Sequence, residues 1–227
     1  MKFTKGNTIV TFEKLWFLQK SHAHALIQRG GQPFDDLVAH VAAHVDAHIP
    51  ATVRFEGISL SDRVSAILKH DGYNYLTASS FLSRNDHFFR PLQSLLPPPA
   101  NIYSKVSKQD EGKVLQSLAF TTLRYMTDDS CDQHGWTLDG IKFRINRVVD
   151  SLAAEDQQVN SDVDTTAYWK SLVYMYLRWS LAGGKPGPPV GEMMSILGKE
   201  TCLKRLENAK EWATAQQNIS SELSARS

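Results

Sequence analysis

Three histidines in this chain are spaced as metal ligands could be. His40, His44 and His48 follow one another at intervals of four residues. On a helix, this spacing brings the imidazoles to one side, where they could share an ion such as zinc. No carboxylate or thiol completes a recognised ligand pattern with them. We therefore predict that no metal is bound, and we interpret the row as the solvated flank of a helix.

A second group of residues able to do chemistry lies between Tyr168 and Ala213, where cationic and aromatic residues are interspersed with glycine and proline. The pattern predicts a helix, a tight loop, a short helix, a turn and a last helix. The first helix should end at Gly183-Gly184, because glycine has low helix propensity and permits left-handed backbone. Prolines stiffen the loop from Lys185 to Pro189, and Pro189 can open the next helix. Gly198 suits the C-cap of that helix.

The elements before this stretch are also predicted to be helices. Pro33 to Ile49 is the clearest, with one apolar face and with Asp35-Asp36 in the first turn, where the helix dipole favours acidic side chains. Ser59 and Thr77 are predicted N-caps of two further helices. Apolar spacing also predicts helices over 111–126 and 137–152, and polar loops over 128–135 and 155–165. An earlier helix, which contains 12–20, is predicted to pack through Leu15, Leu18, His22, Ala25 and Leu26.

The bulk composition predicts a soluble globular protein. The chain has 227 residues, of which 42% are hydrophobic, and its net charge is +1 at pH 7. No global field therefore attracts nucleic acid, and any RNA contact must come from a local patch. We expect no DNA partner, because the net charge creates no such field. We also expect no membrane partner, because no apolar run could span a bilayer. No secretory signal or transit peptide is visible. Cys131 and Cys202 are too few and too far apart for a disulfide framework, which suits a reducing compartment.

Several segments resemble one protein family. They are Leu177–Gly183 (LRWSLAG), Pro188–Met194 (PPVGEMM) and Ile196–Glu200 (ILGKE), followed by Leu203, Arg205 and Leu206. Their order and spacing are similar to the C-terminal signature of bacterial- and organelle-type glutamyl-tRNA synthetases. That signature reads L-R-x-A-L-T-G, a proline-containing loop, and then I/L-L-G-K-E before L-x-R-L. Two positions depart from it, because Ser180 stands where alanine is common and Ala182 where threonine is common.

The resemblance extends over nearly the whole chain. Phe12–Lys20 is similar to the F-x-x-K-L-x-x-L/M-N segment that follows the catalytic half in this family. Arg63-Val64, Leu76-Thr77 and Phe88-Phe89 are similar to an R-V-x-T-L…F-F segment stretched by an insertion. Trp136-Thr137 is similar to the start of a W-T-x-x-x-I helix. The resemblance implies an all-α fold of two stacked helical subdomains that bind the anticodon arm of tRNA(Glu).

The stretch Leu95–Ala100 contains three consecutive prolines and predicts a semi-rigid linker, because proline cannot continue a helix. In this family, two helical anticodon-binding subdomains are joined at such a place. We therefore predict a first subdomain over 1–96, a linker over 97–100 and a second subdomain over 101–217. Residues 218–227 are predicted to form a disordered tail.

The resemblance also implies roles for particular residues. Arg178 would hydrogen-bond to a base edge, and Lys185 would neutralise a phosphate. The loop from Gly183 to Pro189 would shape a pocket for a base, and its candidate residues are Gly183, Pro186 and Pro188.

Other residues are secondary candidates for the same interface. Arg63 could contact a base, and Trp179 could either stack on a base or be buried in the core. Three cations on one predicted helix could form a patch that binds the RNA backbone, or they could be an ordinary solvated face. These cations are Lys142, Arg144 and Arg147.

The catalytic chemistry of the family has no counterpart in this sequence. Class I synthetases activate the amino acid on a nucleotide-binding α/β domain with H-I-G-H-like and K-M-S-K-S-like motifs, and neither motif occurs here. A glycine-rich phosphate loop, a Ser/His/Asp set and a paired-carboxylate site are also missing. We predict that the chain alone is inactive as a glutamate–tRNA ligase and needs no cofactor.

Two functions follow from this reading. In the first, the chain is the tRNA-binding part of a glutamyl-tRNA synthetase, and the catalytic half is its partner. The resemblance then implies a location in the mitochondrial matrix, with the cytoplasm as the alternative. In the second, the chain is a helical scaffold protein derived from the synthetase that no longer binds tRNA. The near-neutral charge and the departures at Ser180 and Ala182 favour this alternative.

Overall fold

The computed structural model describes residues 12–54, 58–92, 95–103, 111–128, 135–157 and 165–224. These residues form α-helices and short 3-10 turns, with no strand among them, which confirms the predicted all-α fold. The chain divides into two compact units, residues 1–90 and 91–227. Within the described ranges, no helix is long and apolar enough to cross a membrane.

The described part of the first unit contains α1 (Phe12–Arg29), α2 (Gly31–His48), α3 (Leu60–Asp71) and α4 (Ala78–Asn85). α2 packs against each of the other three helices. The apolar face predicted for α2 is confirmed, because its residues form the centre of the core. The buried members of this face are Phe34, Val38, Val41, Ala42 and Val45.

The start of α2 lies before the predicted one. Gly30 is the N-cap, and its φ of 64° is in the left-handed region that glycine adopts without strain. This allows the chain to leave α1 and enter α2 at once. Because the helix begins at Gly31, Asp35 and Asp36 lie beyond its first turn, and their predicted place in that turn is wrong.

α1 packs against the core through a different face from the predicted one. Ala23 is only 2% exposed, and Leu26 and Ile27 are half-buried. The reason is a close contact with the 3-10 turn at Gly72: a Cβ at that glycine would lie 2.1 Å from Ile27 Cδ1. The helix is therefore held by Ala23 and Ile27. The predicted core residues that are exposed instead are Leu15, Leu18, His22 and Ala25.

The predicted caps of α3 and α4 are confirmed. The Asp62 backbone N–H donates to Ser59 Oγ at 3.1 Å. The Ser80 backbone N–H donates to Thr77 Oγ1 at 3.1 Å, and the Thr77 backbone N–H donates to Ser80 Oγ at 2.9 Å. Such bonds satisfy backbone donors that have no partner within the helix.

An ion pair of low exposure joins α3 to α4. Arg84 Nε donates to Asp71 Oδ2 at 2.7 Å and Arg84 Nη2 donates to Asp71 Oδ1 at 3.3 Å. Asn74 Nδ2 donates to the same Oδ1 at 2.8 Å. The side chain of Asp71 is 7% exposed and that of Arg84 is 28% exposed. Loss of one partner would therefore leave a charge in a place that water reaches poorly.

The described part of the second unit contains α5 (Glu111–Thr127), α6 (Leu138–Gln157), α7 (Thr165–Ala182), α8 (Val190–Leu197) and α9 (Lys199–Ser224). α5 packs on α9 and α6, and α6 packs on α7. The apolar face predicted for α6 is confirmed by the burial of Ile141, Ile145, Val148, Val149 and Leu152. Its predicted cap is also confirmed, since the Gly140 backbone N–H donates to Thr137 Oγ1 at 3.2 Å.

Two stretches predicted to be irregular are partly helical. α6 continues to Gln157 and α7 begins at Thr165, whose Oγ1 donates to the carbonyl oxygen of Ala153 at 3.3 Å. The predicted loop over 155–165 is therefore too long, and residues 158–164 lie outside the described ranges. α9 continues to Ser224, through most of the predicted disordered tail. Neither glycine nor proline occurs in α9, so no residue in it breaks the helix.

The proline-rich stretch predicted as a linker packs within the second unit. The Trp179 Nε1–H donates to the carbonyl oxygen of Leu96 at 2.8 Å, and Pro98 is buried. Ile102, in the short turn that follows, is 0% exposed. The stretch therefore lies against α7, close to the site described next.

Candidate functional site

A groove along the outer side of α7 is the candidate site. It has a volume of about 570 Å³ and lies between α7, the loop after it and the beginning of α8. Its wall is mixed in character, with apolar, aromatic and cationic side chains. The residues that define this wall include Pro99, Lys170, Tyr174, Met175, Arg178 and Val190.

The floor of the groove is one face of α7. Lys170, Tyr174 and Arg178 are four residues apart, so they lie one above another along the helix. Tyr176, on the opposite side, is 0% exposed, and its burial raises the pKa of its phenol. α7 therefore turns its apolar side to the core and presents an ammonium, an aromatic ring and a guanidinium to the groove.

The loop at the end of α7 is folded tightly by two glycines. Gly183 and Gly184 have φ values of 62° and 79°, as the sequence predicts. The Gly183 N–H donates to the carbonyl oxygen of Trp179 at 2.8 Å, and the Gly184 N–H donates to that of Arg178 at 3.2 Å. Left-handed backbone at both positions would strain any residue with a Cβ. The chain therefore reverses within two residues and brings the proline segment beside α7.

The side chain of Arg178 fixes the far end of this loop. Its Nη2 donates to the carbonyl oxygen of Pro188 at 2.7 Å. Pro188 is buried, whereas Arg178 is half-buried and lines the groove. The guanidinium therefore has a fixed position at the boundary between the protein interior and the groove.

α8 forms the opposite wall and is anchored on α6. Pro189 is its N-cap rather than its first residue, and the Met193 N–H donates to the Pro189 carbonyl oxygen at 2.9 Å. A Cβ at Gly191 would lie 3.2 Å from Leu138 Cδ1, so this glycine permits close packing. The predicted C-cap at Gly198 is confirmed, with a φ of 81°.

Two residues predicted to contact a base are instead buried. Arg63 is 4% exposed, and its Nη1 donates to the carbonyl oxygen of Phe88 at 2.7 Å. Burial lowers the pKa of its guanidinium. Trp179 is 1% exposed, in agreement with the alternative that it belongs to the core. Both side chains hold the fold together, and neither presents a surface to a base.

The predicted backbone-binding patch on α6 is interrupted. Arg144 is 0% exposed because it faces α5, where its Nη1 donates to the carbonyl oxygens of Tyr125 at 3.0 Å and Asp128 at 2.7 Å. Lys142 is 51% exposed and lies 3.9 Å from the Glu192 carboxylate. Arg147 is exposed. The three cations therefore do not form one surface.

The remaining predicted residues lie in or beside the loop. Gly183 and Pro186 are exposed, and Pro188 is buried. Lys185 is half-buried, and its backbone N–H donates to the carbonyl oxygen of Ala182 at 3.2 Å. The loop therefore has a fixed conformation beside Arg178.

The two departures from the family signature lie in the core. Ser180 and Ala182 are each 0% exposed. Ser180 Oγ donates to the carbonyl oxygen of Leu177 at 3.2 Å, within the helix. Neither side chain faces the groove, so these positions do not change its lining.

The histidine row lies at the edge of α2. His40 and His48 are exposed, and His44 is half-buried. The rings of His44 and His48 have centroids 4.1 Å apart, and His48 Nδ1 donates to the carbonyl oxygen of His44 at 2.8 Å. Among the described residues, no group of three or more His, Cys, Asp or Glu is arranged to hold a metal ion.

Sequence reasoning missed six residues of the groove: Pro99, Lys170, Ser171, Tyr174, Met175 and Val190. A signal for two of them is present, because Lys170 and Tyr174 precede Arg178 at intervals of four and so share its face. The contribution of Pro99 comes from a distant stretch, which no local pattern reveals.

Comparison with known proteins finds similarity in sequence and in fold. Residues 100–210 match the family described as anticodon binding domain. Over 208 residues, the chain is 23% identical to the mitochondrial glutamate–tRNA ligase of Schizosaccharomyces pombe, an alignment that covers 91% of this chain and 34% of the relative. The chain thus spans about a third of the length of that relative.

Two solved structures show the same fold. One is a glutamate–tRNA ligase from Elizabethkingia meningosepticum in complex with its amino acid, with a TM-score of 0.58 and 16% identity over 88% of this chain and 32% of that one. The other is the glutamate–tRNA synthetase of Elizabethkingia anophelis, with a TM-score of 0.56 and 16% identity over 89% of this chain and 32% of that one.

All the residues that line the groove, except Pro99, lie inside the part of the chain that matches the family. Residues 100–210 are therefore similar to anticodon-binding domains. In sequence, the chain is similar to part of a glutamate–tRNA ligase, and in fold it is similar to parts of two such enzymes.

Proposed function

We propose that the chain binds the anticodon arm of tRNA(Glu) through the groove on α7 and is the tRNA-binding part of a glutamyl-tRNA synthetase. Its contribution to aminoacylation is recognition of the tRNA. Sequence-specific RNA binding of this kind needs stacking surfaces and hydrogen bonds to the edges of unstacked bases. The groove offers both, in the ring of Tyr174 and the guanidinium of Arg178.

The observation that carries the proposal is the position of Arg178. Its guanidinium is held by the Pro188 carbonyl oxygen at 2.7 Å and lines a groove of about 570 Å³. A planar guanidinium in a fixed position can read the acceptor atoms of a base edge, because its donors have a rigid geometry. A mobile surface arginine would lose more conformational entropy in making the same contact.

Further residues around the groove support a role in binding RNA. The exposed ammonium of Lys170 lies at one end of the α7 face, and Lys185 lies in the loop at the other. We assign phosphate contacts to these two lysines, because an ammonium neutralises a phosphate without reading sequence. With a net charge of +1, the chain relies on such local charges to attract RNA.

We also propose that a catalytic half acts with this chain and that the complete enzyme works in mitochondria. The support is that the chain spans about a third of the S. pombe relative, which is a mitochondrial enzyme. Subcellular fractionation of the source organism, with an antibody against this chain, tests the location. Recovery of the chain in the cytosolic fraction alone would contradict it.

Binding to isolated RNA hairpins tests the proposed function. The 227-residue chain is titrated against the anticodon stem-loop of tRNA(Glu) and against its acceptor-arm hairpin, at one fixed salt concentration, because affinities at different salt are not comparable. We expect tighter binding to the anticodon stem-loop. Equal affinity for the two hairpins, or binding to neither, would contradict the proposal and favour a scaffold protein without tRNA binding.

A further inference from the structure

Two arginines from different helices of the second unit converge on one aromatic ring. The Cζ of Arg124, near the end of α5, lies 5.6 Å from the centroid of the Tyr125 ring. The Cζ of Arg147, on α6, lies 5.5 Å from the same centroid. Both arginines are exposed, and Tyr125 is half-buried. These three residues, which we call the Tyr125 cluster, place two positive charges around a single ring.

The position of the cluster is set by the core. Arg144 is 0% exposed and donates to the backbone carbonyl oxygens of Tyr125 and Asp128. This buried guanidinium ties the end of α5 to α6, one helical turn before Arg147. The two arginines of the cluster therefore stand on backbone whose relative position is fixed, and they are not carried by a long loop.

The partners of these two arginines differ from those of other arginines in the chain. Arg54, Arg84 and Arg90 each have a carboxylate oxygen at 2.7 Å. Within the described ranges, neither Arg124 nor Arg147 has a carboxylate oxygen within 4.0 Å. Two cations beside one ring repel each other, and a bound anion would relieve this repulsion. The fork of a guanidinium matches the oxygens of a phosphate group.

We propose that the Tyr125 cluster binds a phosphodiester of the RNA backbone, at a site separate from the groove on α7. This inference rests on the proposed function, because it supplies that function with a contact that positions the RNA. A phosphate contact fixes the register of the RNA on the protein and carries no information on sequence. Arg124, Tyr125 and Arg147 form the phosphate site, and Arg144 is the positioning residue beneath them.

A salt titration of tRNA binding tests the cluster. The 227-residue chain is compared with Arg124→Gln, with Arg147→Gln and with the double variant. The matched control is Lys210→Gln, because Lys210 Nζ also lies over an exposed ring, 4.3 Å from the centroid of Phe120. Each arginine variant should reduce the slope of log affinity against log salt by about one unit. It should also weaken tRNA(Glu) and an anticodon variant by the same factor, whereas Lys210→Gln should leave the slope unchanged.

Further comparisons distinguish the possible failures. Arg147→Lys keeps the positive charge, so it should keep the slope of log affinity against log salt. If the guanidinium acted only by holding the structure, lysine could not replace it, and the slope would fall as it does in Arg147→Gln. An unchanged slope in the folded double variant, or an equal loss in Lys210→Gln, would refute the cluster as a phosphate site. If Arg178→Ala still loses discrimination in that case, the proposed function stands. Absence of tRNA binding by the unmodified chain would refute both.

Discussion

Arg178 Nη2 donates a hydrogen bond to the carbonyl oxygen of Pro188 at 2.7 Å, and this bond joins α7 to the segment that begins α8. The loop between them turns at two glycines in left-handed backbone and then runs through prolines, so it has few alternative conformations. The bond fixes both the loop and the guanidinium before a ligand arrives. Preorganisation of this kind lowers the entropy lost on binding.

Replacement of Gly72 by alanine tests how α1 packs. The new Cβ would lie 2.1 Å from Ile27 Cδ1, so the two atoms cannot both keep their positions. Because Ile27 Cδ1 is the end of a half-buried side chain that can rotate away, we expect Gly72→Ala to lower the free energy of unfolding of the first unit by only about 1 kcal/mol, measured by urea denaturation.

Two controls make this prediction specific. Ile27→Val removes the methyl group concerned, so in its presence Gly72→Ala should cost much less. Gly112→Ala, on α5 where a Cβ would meet nothing within 4 Å, should stabilise the second unit by about 0.5–1 kcal/mol. If Gly72→Ala costs the same with and without Ile27→Val, the contact between these residues does not hold α1.

Two ion pairs in the first unit allow a test of burial. The Asp71–Arg84 and Asp46–Arg54 pairs have the same N–O distance of 2.7 Å, but the Asp71 side chain is 7% exposed and that of Asp46 is 67% exposed. We expect Asp71→Ala to lower the free energy of unfolding by about 3 kcal/mol, because it removes a buried carboxylate that accepts hydrogen bonds from both Arg84 and Asn74. Asp46→Ala should cost at most about 1 kcal/mol. Equal losses in thermal or urea unfolding would show that burial does not decide the strength of these pairs.

The pH dependence of stability should depend on Cys202. This thiol is 0% exposed, and burial raises its pKa to about 12. Above its ordinary pKa, the unfolded chain loses the proton while the folded chain keeps it, so stability must fall as pH rises. The group should contribute a loss of about 1.4 kcal/mol per pH unit above about pH 9.

The measurement for this prediction is a comparison with Cys202→Ala, which cannot lose that proton. The difference in unfolding free energy between the unmodified chain and this variant should shrink as pH rises from about 9 to about 11. A difference that stays constant over this range would mean that the thiol ionises equally well in the folded chain.

The helices are predictable from local patterns because neighbouring residues determine both the spacing of their apolar side chains and the positions of their ends. Ser59, Thr77 and Thr137 cap helices, and Gly183-Gly184 ends one, as the sequence predicts. The packed face of α1 is not predictable in this way. Leu15 and Leu18 have suitable spacing, but the contact between Ile27 and Gly72 decides which side packs, and it joins residues far apart in the chain.

The same reason explains which site residues the sequence identified. Arg178 was predicted from its position in the segment that resembles L-R-x-A-L, beside the glycine–proline loop, and it lines the groove. Arg63 and Arg144 look equally suitable as cations on helices, yet both are buried, and their guanidiniums donate to backbone carbonyl oxygens of other elements. Those acceptors become neighbours only when the helices pack, so composition and spacing cannot separate a structural arginine from one that binds a ligand.

A variant pair in the groove separates base reading from phosphate binding. Arg178→Ala removes a planar guanidinium that is held in a fixed position, whereas Lys185→Ala removes only an ammonium on a flexible stem. We expect Lys185→Ala to weaken tRNA(Glu) and an anticodon variant alike. Arg178→Lys retains the charge without the fork, so it should keep the salt dependence of binding and lose part of the discrimination. Melting temperatures provide the control for folding, because Arg178 also holds the loop at Pro188.

The most direct measurement is the ratio of affinities of folded Arg178→Ala for tRNA(Glu) and for the same tRNA with a changed anticodon, at fixed salt. We expect the preference of the unmodified chain for tRNA(Glu) to fall by about 1–3 kcal/mol in this variant, the usual value of a specific side-chain contact to a base edge. A folded Arg178→Ala chain that keeps the full preference would show that this residue does not read the anticodon.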